Sequence, residues 1–212
     1  MPTDLPFQAL IFDAGGVFVA HDNEVQMARL AGRCTAPEAL ATIRARHFDP
    51  KIGTGETPVR ELHRRLRDDL GYDLDWDGFL GDWSCHLGLD NDMLGLMTAL
   101  AAENRVLVFS NTNAEHWARV DEMTGAALDR FELYLSHEIG AVKRDLAAFA
   151  LVAQRAGVEP GRCLFIDDMA ENVEAARAAG FQAEQFTGQP ALETLLETRG
   201  VRWARHSQET MS

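Results

Sequence analysis

Four groups of polar residues interrupt an otherwise apolar pattern, and together they could carry out nucleophilic displacement at a charged centre. Asp13 follows Ala9-Leu10-Ile11-Phe12 and precedes Ala14-Gly15-Gly16. A carboxylate just ahead of two glycines sits where the backbone can turn sharply and approach a ligand, because glycine has no Cβ to clash. Asp13 is the candidate nucleophile. The run Val106-Leu107-Val108-Phe109 ends in Ser110-Asn111-Thr112-Asn113, Lys143 comes after Glu132-Leu133-Tyr134-Leu135-Ser136, and Cys163-Leu164-Phe165-Ile166 ends in Asp167-Asp168. If Asp13 attacks phosphorus, two anions must meet, so a cation is needed between them. The paired carboxylates could hold Mg²⁺, a hard ion suited to oxygen ligands. Ser110 and the amides after it could hold a phosphoryl oxygen, Asn111 could add a side-chain amide, and Lys143 a fixed ammonium.

These groups are far apart in the chain, so a scaffold must bring them together. Apolar runs at about 8–12, 105–110, 131–136, 162–167 and 181–186 are short and rich in Val, Ile, Leu and Phe, the pattern of parallel strands covered on both faces. Residues 91–102, 115–128, 146–156, 170–179 and 190–198 carry apolar positions at helical spacing, with Gly157 and Gly180 as expected helix stops. The alternation implies an α/β fold, a doubly wound parallel sheet whose ligand site lies outside the carboxyl ends of the strands. Residues 19–90 read as helices only, at 24–31, 37–47, 56–70 and 76–87. The expected organisation is a core of residues 1–18 and 91–212 with a four-helix cap, residues 19–90, inserted after the first strand. Hinges would fall near 19–22 and 89–92.

In order and spacing, Phe12-Asp13-Ala14-Gly15-Gly16-Val17, Ser110-Asn111-Thr112-Asn113, Tyr134-Leu135-Ser136 with Lys143, and Ile166-Asp167-Asp168-Met169-Ala170-Glu171-Asn172 resemble the haloacid dehalogenase superfamily of aspartate-nucleophile hydrolases. Within it they are most similar to sugar-phosphate phosphatases of the glucose 1-phosphate type with a helical cap. The resemblance covers nearly the whole chain. It implies that Asp13, the backbone carbonyl of Gly15 and Asp168 bind Mg²⁺, with Asp167 joining them or standing just behind, and that Asn172 adds a polar group nearby. It also implies an aspartyl-phosphate intermediate that water hydrolyses, and a small phosphate ester as substrate.

Two positions depart from the resemblance. Such phosphatases usually carry a second aspartate two residues after the nucleophile, as general acid to the leaving alcohol; here that position is Gly15. Positioned proton transfer is typically worth ~10²–10⁴-fold, and His21 and Asp22 are the stand-in candidates. The other is Arg144, where relatives often have proline; an extra cation there points to an anionic or polyhydroxylated substrate. Two rival functions follow from the missing acid. A dehalogenase using Asp13 on carbon would release halide without a proton, and a non-catalytic binding protein would need no acid at all. A dehalogenase needs no metal, so the Asp167-Asp168 pair favours Mg²⁺ and phosphorus over it; the non-catalytic reading, which could retain the metal, has the missing acid as its only sequence support.

Bulk composition narrows the field further. With 212 residues and 46% hydrophobic content the chain can bury a core. Acids outnumber bases by 33 to 20, for a net charge of −13, which disfavours nucleic acid and anionic membrane surfaces as partners. No apolar run approaches the ~20 residues of a membrane span, and the N-terminus lacks a signal-like segment. Cys34, Cys85 and Cys163 are odd in number and widely spaced, arguing against disulfides or a zinc site. The expectation is a cytoplasmic monomer or homodimer.

Overall fold

The strand that leads into Asp13 lies in the middle of the sheet, and its sequence explains why. In the computed structural model, which describes residues 5–46 and 50–204, β1 (Ala9–Phe12) is buried at every position. Side chains alternate between the faces of a strand, so Leu10 and Phe12 enter one apolar cluster while Ala9 and Ile11 enter another. Only a strand with helices packed on both sides of its sheet can bury itself in this way.

After β1 the chain departs into the insertion. It begins with β2 (Val19–His21) and continues through α1 (Asn23–Ala31), α2 (Ala39–Arg46), α3 (Pro50–Gly53), α4 (Val59–Leu70) and α5 (Trp76–Ser84) before returning along β3 (Leu87–Leu89). These helices have a core of their own, where Met27, Leu30, Ile43, Leu66, Phe79 and Trp83 meet. The β2 and β3 strands form a two-stranded antiparallel ribbon, Val19 opposite Leu89 and His21 opposite Leu87, at both expected hinges. Helical periodicity gives no sign of this ribbon, because it is a pairing between the two ends of the insertion. The helix expected over 76–87 accordingly stops at Ser84. That expected over 56–70 starts at Val59, because Pro58, at φ −62°, holds extended backbone just ahead of it. Short α3 was not expected from periodicity, and the expected end of the second helix at His47 lies outside the described residues.

The rest of the chain alternates strand and helix. It runs through α6 (Asn91–Ala101), β4 (Val106–Ser110), α7 (Ala114–Thr124), β5 (Glu132–Leu135), α8 (Ser136–Ile139), α9 (Leu146–Ala156), β6 (Cys163–Asp167), α10 (Ala170–Ala178), β7 (Gln182–Gln185) and α11 (Gln189–Thr198). The five core strands are parallel, in the order β5-β4-β1-β6-β7. Asp90 starts α6 by accepting a hydrogen bond from the Met93 amide at 3.0 Å. Helix α7 is shorter than the 115–128 expected, because Gly125 takes φ +55° and the chain tightens into a 3₁₀ turn over Gly125–Arg130. Gly157 closes α9 in the left-handed region as its sequence position indicates.

One face of the sheet is lined by aromatic packing around Phe149, which is 1% exposed and meets Phe109, Phe165 and Phe181 at centroid distances of 5.4, 5.3 and 5.8 Å. Phe149→Ala should lower the unfolding free energy by about 3–5 kcal/mol. Leu146→Ala, on the same helix but half-exposed, should change it by about 0.5 kcal/mol or less. Urea unfolding of both variants checks the contrast.

Candidate active site

Because β1 is flanked by β4 on one side and β6 on the other, the chain leaves it in opposite directions, and a crevice opens at the carboxyl ends of these three strands. Asp13 follows β1, Ser110 ends β4 and Asp167 ends β6, so the sheet register alone sets them side by side. Lys143 arrives from the loop between α8 and α9 and is 1% exposed. Its Nζ lies 2.5 Å from Asp13 Oδ2 and 2.6 Å from Asp167 Oδ2. The ammonium also stands about 6 Å from the ring centroids of Phe109 and Phe165, which wall it from water.

Asp167 is fully buried and its oxygens are well supplied with donors. Oδ1 accepts from the Met169 amide at 2.9 Å and the Asn172 side-chain amide at 3.0 Å, while Oδ2 takes Lys143 and a second, longer contact from Asn172 at 3.2 Å. Burying a carboxylate is costly unless it is hydrogen-bonded and paired; these contacts supply both. Asp168 is partly exposed, and one oxygen from each of Asp13, Asp167 and Asp168 lies within 4.8 Å of the others. Three carboxylates and one ammonium carry a net −2 when ionised. That charge, with hard oxygen donors at short spacing, suits a divalent cation.

The adjoining glycines have separate duties. Gly16 takes φ +70°, and a Cβ there would lie 2.1 Å from Asp168 Oδ2, so any side chain would displace that carboxylate. Gly15 is not in the left-handed region; a Cβ on it would instead meet His21 Cδ2 and Nε2, both at 3.2 Å.

Burial pushes the Asp13 carboxyl up, Lys143 pulls it down, and Asp167 pushes it up again, leaving it at about 7. Asp168 is also raised, first by burial and then by Asp167, with Lys143 and His21 acting the other way. Both shifts express burial first and the crowding of a second carboxylate after it, and a bound cation would favour the charged form of each.

The remaining sequence candidates take different places. Ser110 is 4% exposed at the end of β4 and makes no side-chain hydrogen bond among the described residues. Asn111 accepts from the Lys143 backbone amide at 2.9 Å through Oδ1, a brace on the lysine loop that residue type alone did not reveal. Its amide nitrogen stays available to a ligand. Asp22 caps α1 by accepting from the Glu24 and Val25 amides at 3.0 and 3.2 Å. Arg144 is exposed and pairs with Glu171 at 2.7 Å, so its charge is met by a neighbour. Cys163 is buried, and burial pushes its thiol up to about 11. Sequence reasoning missed Ser136 as a junction: its hydroxyl oxygen accepts from the Thr112 amide at 2.9 Å and lies 2.6 Å from the Gly53 carbonyl of the insertion. A serine at a strand end offers no signal of such a contact.

A five-stranded parallel sheet with a helical insertion after its central strand defines the haloacid dehalogenase-like fold. The chain belongs to the haloacid dehalogenase-like hydrolases, whose family pattern it matches over residues 7–180. It is 39% identical over 80 residues to a phosphatase of Mycobacterium tuberculosis. That stretch is 37% of this chain and 37% of the relative, so the likeness spans little more than a third of the curated protein. A HAD family enzyme of Bacteroides thetaiotaomicron, in complex with magnesium and inorganic phosphate, has the same fold, with a TM-score of 0.77 at 24% identity over 86% of this chain and 96% of that one. The L-2-haloacid dehalogenase of Xanthobacter autotrophicus is more distant, with a TM-score of 0.58 at 20% identity over 91% and 83%. No helix among the described residues is long and apolar enough to cross a membrane.

Lys143→Met should remove the ammonium that pairs with both Asp13 and Asp167 and cost about 3–5 kcal/mol of stability at neutral pH in metal-free buffer. Without the ammonium the Asp13 carboxyl, already raised to about 7, would lose the charge that pulls it down and rise further above its unfolded value, so the folded variant would bind more protons than the unfolded chain. Its deficit against wild type should therefore shrink as pH falls. Denaturant unfolding at several pH values checks both the size and the sign.

Proposed function

We propose that the protein is a Mg²⁺-dependent phosphatase that hydrolyses a small phosphorylated metabolite, a sugar phosphate being the expected class, through an aspartyl-phosphate on Asp13. The observation that carries this reading is the cluster itself, in which Lys143 lies between Asp13 and Asp167 while Asp168 adds a third carboxylate within ligand distance. A dehalogenase has no use for that acidic excess, whereas an enzyme bringing a carboxylate to a phosphate needs both a lysine and a divalent ion.

The residues present fit the ion. Asp13, the Gly15 carbonyl and Asp168 would hold it, with Asp167 behind them as part of the acidic set, and glycine at 16 leaves Asp168 the room it needs. When bound, Mg²⁺ would screen the charge of the carboxylate from that of the substrate and stabilise charge developing on the phosphoryl oxygens. The side chains do the rest. Asp13 attacks phosphorus and forms an acyl phosphate as the ester oxygen departs; water then attacks the acyl phosphate and frees Asp13. Lys143 orients Asp13 and faces the transferring group with a fixed charge. Ser110 and the Asn111 amide nitrogen hold phosphoryl oxygens. Residues 19–90 serve as the cap that selects the rest of the substrate, hinged at the β2–β3 ribbon on a core of 1–18 and 91–212.

Asp13→Asn keeps the shape of the side chain and should abolish turnover of every ester in a phosphate-ester panel assayed with Mg²⁺, while the circular dichroism spectrum remains that of the wild type. A folded variant with near wild-type turnover would sink the nucleophile assignment.

Asp168→Asn should weaken Mg²⁺ binding more than Asp167→Asn does, because Asp167 already spends its oxygens on Lys143, Asn172 and the Met169 amide. Calorimetric titration with MgCl₂ measures this directly, and equal affinities in the two variants would contradict it.

A further inference from the structure

We infer that His21 is the proton donor to the leaving oxygen, and the acceptor of the proton from the attacking water, in the hydrolysis proposed above, on which this assignment rests. An ester oxygen that leaves as an alkoxide is a poor leaving group, so a proton must reach it as the P–O bond breaks. The groups already at the centre are badly placed to give one. Lys143 is buried and bonded to two carboxylates, the carboxylates themselves act as acceptors or ligands, and Asp22 is occupied in capping α1.

His21 occupies the volume left by the missing side chain at residue 15. A Cβ on Gly15 would lie 3.2 Å from both its Nε2 and its Cδ2, so that edge of the ring stands against the point where an aspartate side chain at 15 would begin. The placement is fixed by backbone. The Gly16 amide donates to the Val19 carbonyl at 2.9 Å and Gly15 forms a bridge with Val19, which ties β2 to the turn after Asp13. Two residues on, the pairing of His21 with Leu87 holds it in the ribbon. The imidazole is exposed and has no hydrogen-bond partner among the described residues, so its N–H can be given to a ligand.

The proton balance closes over one turnover. Imidazolium at His21 gives its Nε2 proton to the ester oxygen while Asp13 binds phosphorus, and the alcohol leaves neutral. Neutral His21 then takes a proton from the water that attacks the acyl phosphate, so that inorganic phosphate and the Asp13 carboxylate are released and His21 is again protonated.

The test measures kcat/KM, with Mg²⁺ and at one pH, for aryl and alkyl phosphate esters of graded leaving-group pKa. In His21→Ala and His21→Gln the alkyl esters should fall by ~10²-fold or more and the aryl esters by far less, so the dependence on leaving group steepens. Thermal unfolding of both variants separates this from a disturbed ribbon. Because Gly15 is not in the left-handed region, aspartate is sterically acceptable there once the ring is gone, and Gly15→Asp combined with His21→Ala should recover much of the alkyl-ester rate. An equal fall for all esters, or none, with wild-type aryl turnover intact, would overturn the assignment and leave the phosphatase reading standing. Absence of turnover for both ester classes in the wild type would overturn both.

Discussion

A single buried ammonium organises this molecule. Lys143 lies between two carboxylates from different strands, within 2.5 and 2.6 Å, almost wholly out of water. Taking such a charge from water costs several kcal/mol, recovered only when partners and geometry are good. The arrangement therefore demands that three distant segments arrive together. The strand ends at Asp13 and Asp167 are in register because β1 and β6 pair along their whole length; the lysine loop is held by Asn111, at the end of β4; and Asp167 is fixed by Asn172 from the first turn of α10. The sheet positions the charges, and the charges in turn penalise any slip of the sheet.

The same segment that carries Ser110 and Asn111 is also in contact with the insertion on two sides. Thr112 bonds through Ser136 towards Gly53 of α3. Asn113 accepts a hydrogen bond from the Trp83 indole of α5 at 3.4 Å, and His116 stacks on the same ring at 4.7 Å and contacts Gln26 of α1 at 3.1 Å. The loop that faces the crevice is thus bracketed by polar contacts to the helices above it. Such contacts are directional and easily exchanged for water, unlike the continuous apolar packing inside each layer, and they give the junction between insertion and core a different character from either interior.

The two glycines after Asp13 show how close the packing around the crevice is. At Gly16 the constraint is twofold, a positive φ and an Asp168 oxygen where a Cβ would stand; at Gly15 it is an imidazole from another strand. One position is reserved for the acidic cluster and the other for a side chain delivered by the ribbon. Asp168 reaches Gly16 from a distant strand end, whereas His21 reaches Gly15 from the short strand that follows the same turn.

Much of this was legible in the chain itself. Uninterrupted apolar runs marked β1, β4 and β6 because burial on both faces leaves no room for polar residues, whereas the edge strands β5 and β7 are partly exposed and carry Glu132, Gln182, Glu184 and Gln185; polar groups at the strand ends marked the site because the carboxyl edge of a parallel sheet is where chain and solvent meet. Asp13, Ser110, Lys143 and Asp167-Asp168 could be singled out from residue type and order alone. Tertiary structure decided what depends on distance between segments remote in sequence: the β2–β3 ribbon, the pairing of Arg144 with Glu171 and the brace from Asn111; it also decided that His21, a nearby candidate in the sequence, turns its ring against Gly15 while Asp22 caps a helix. Periodicity reports what a residue's own element needs; it carries no record of which side chain another element brings to the same point.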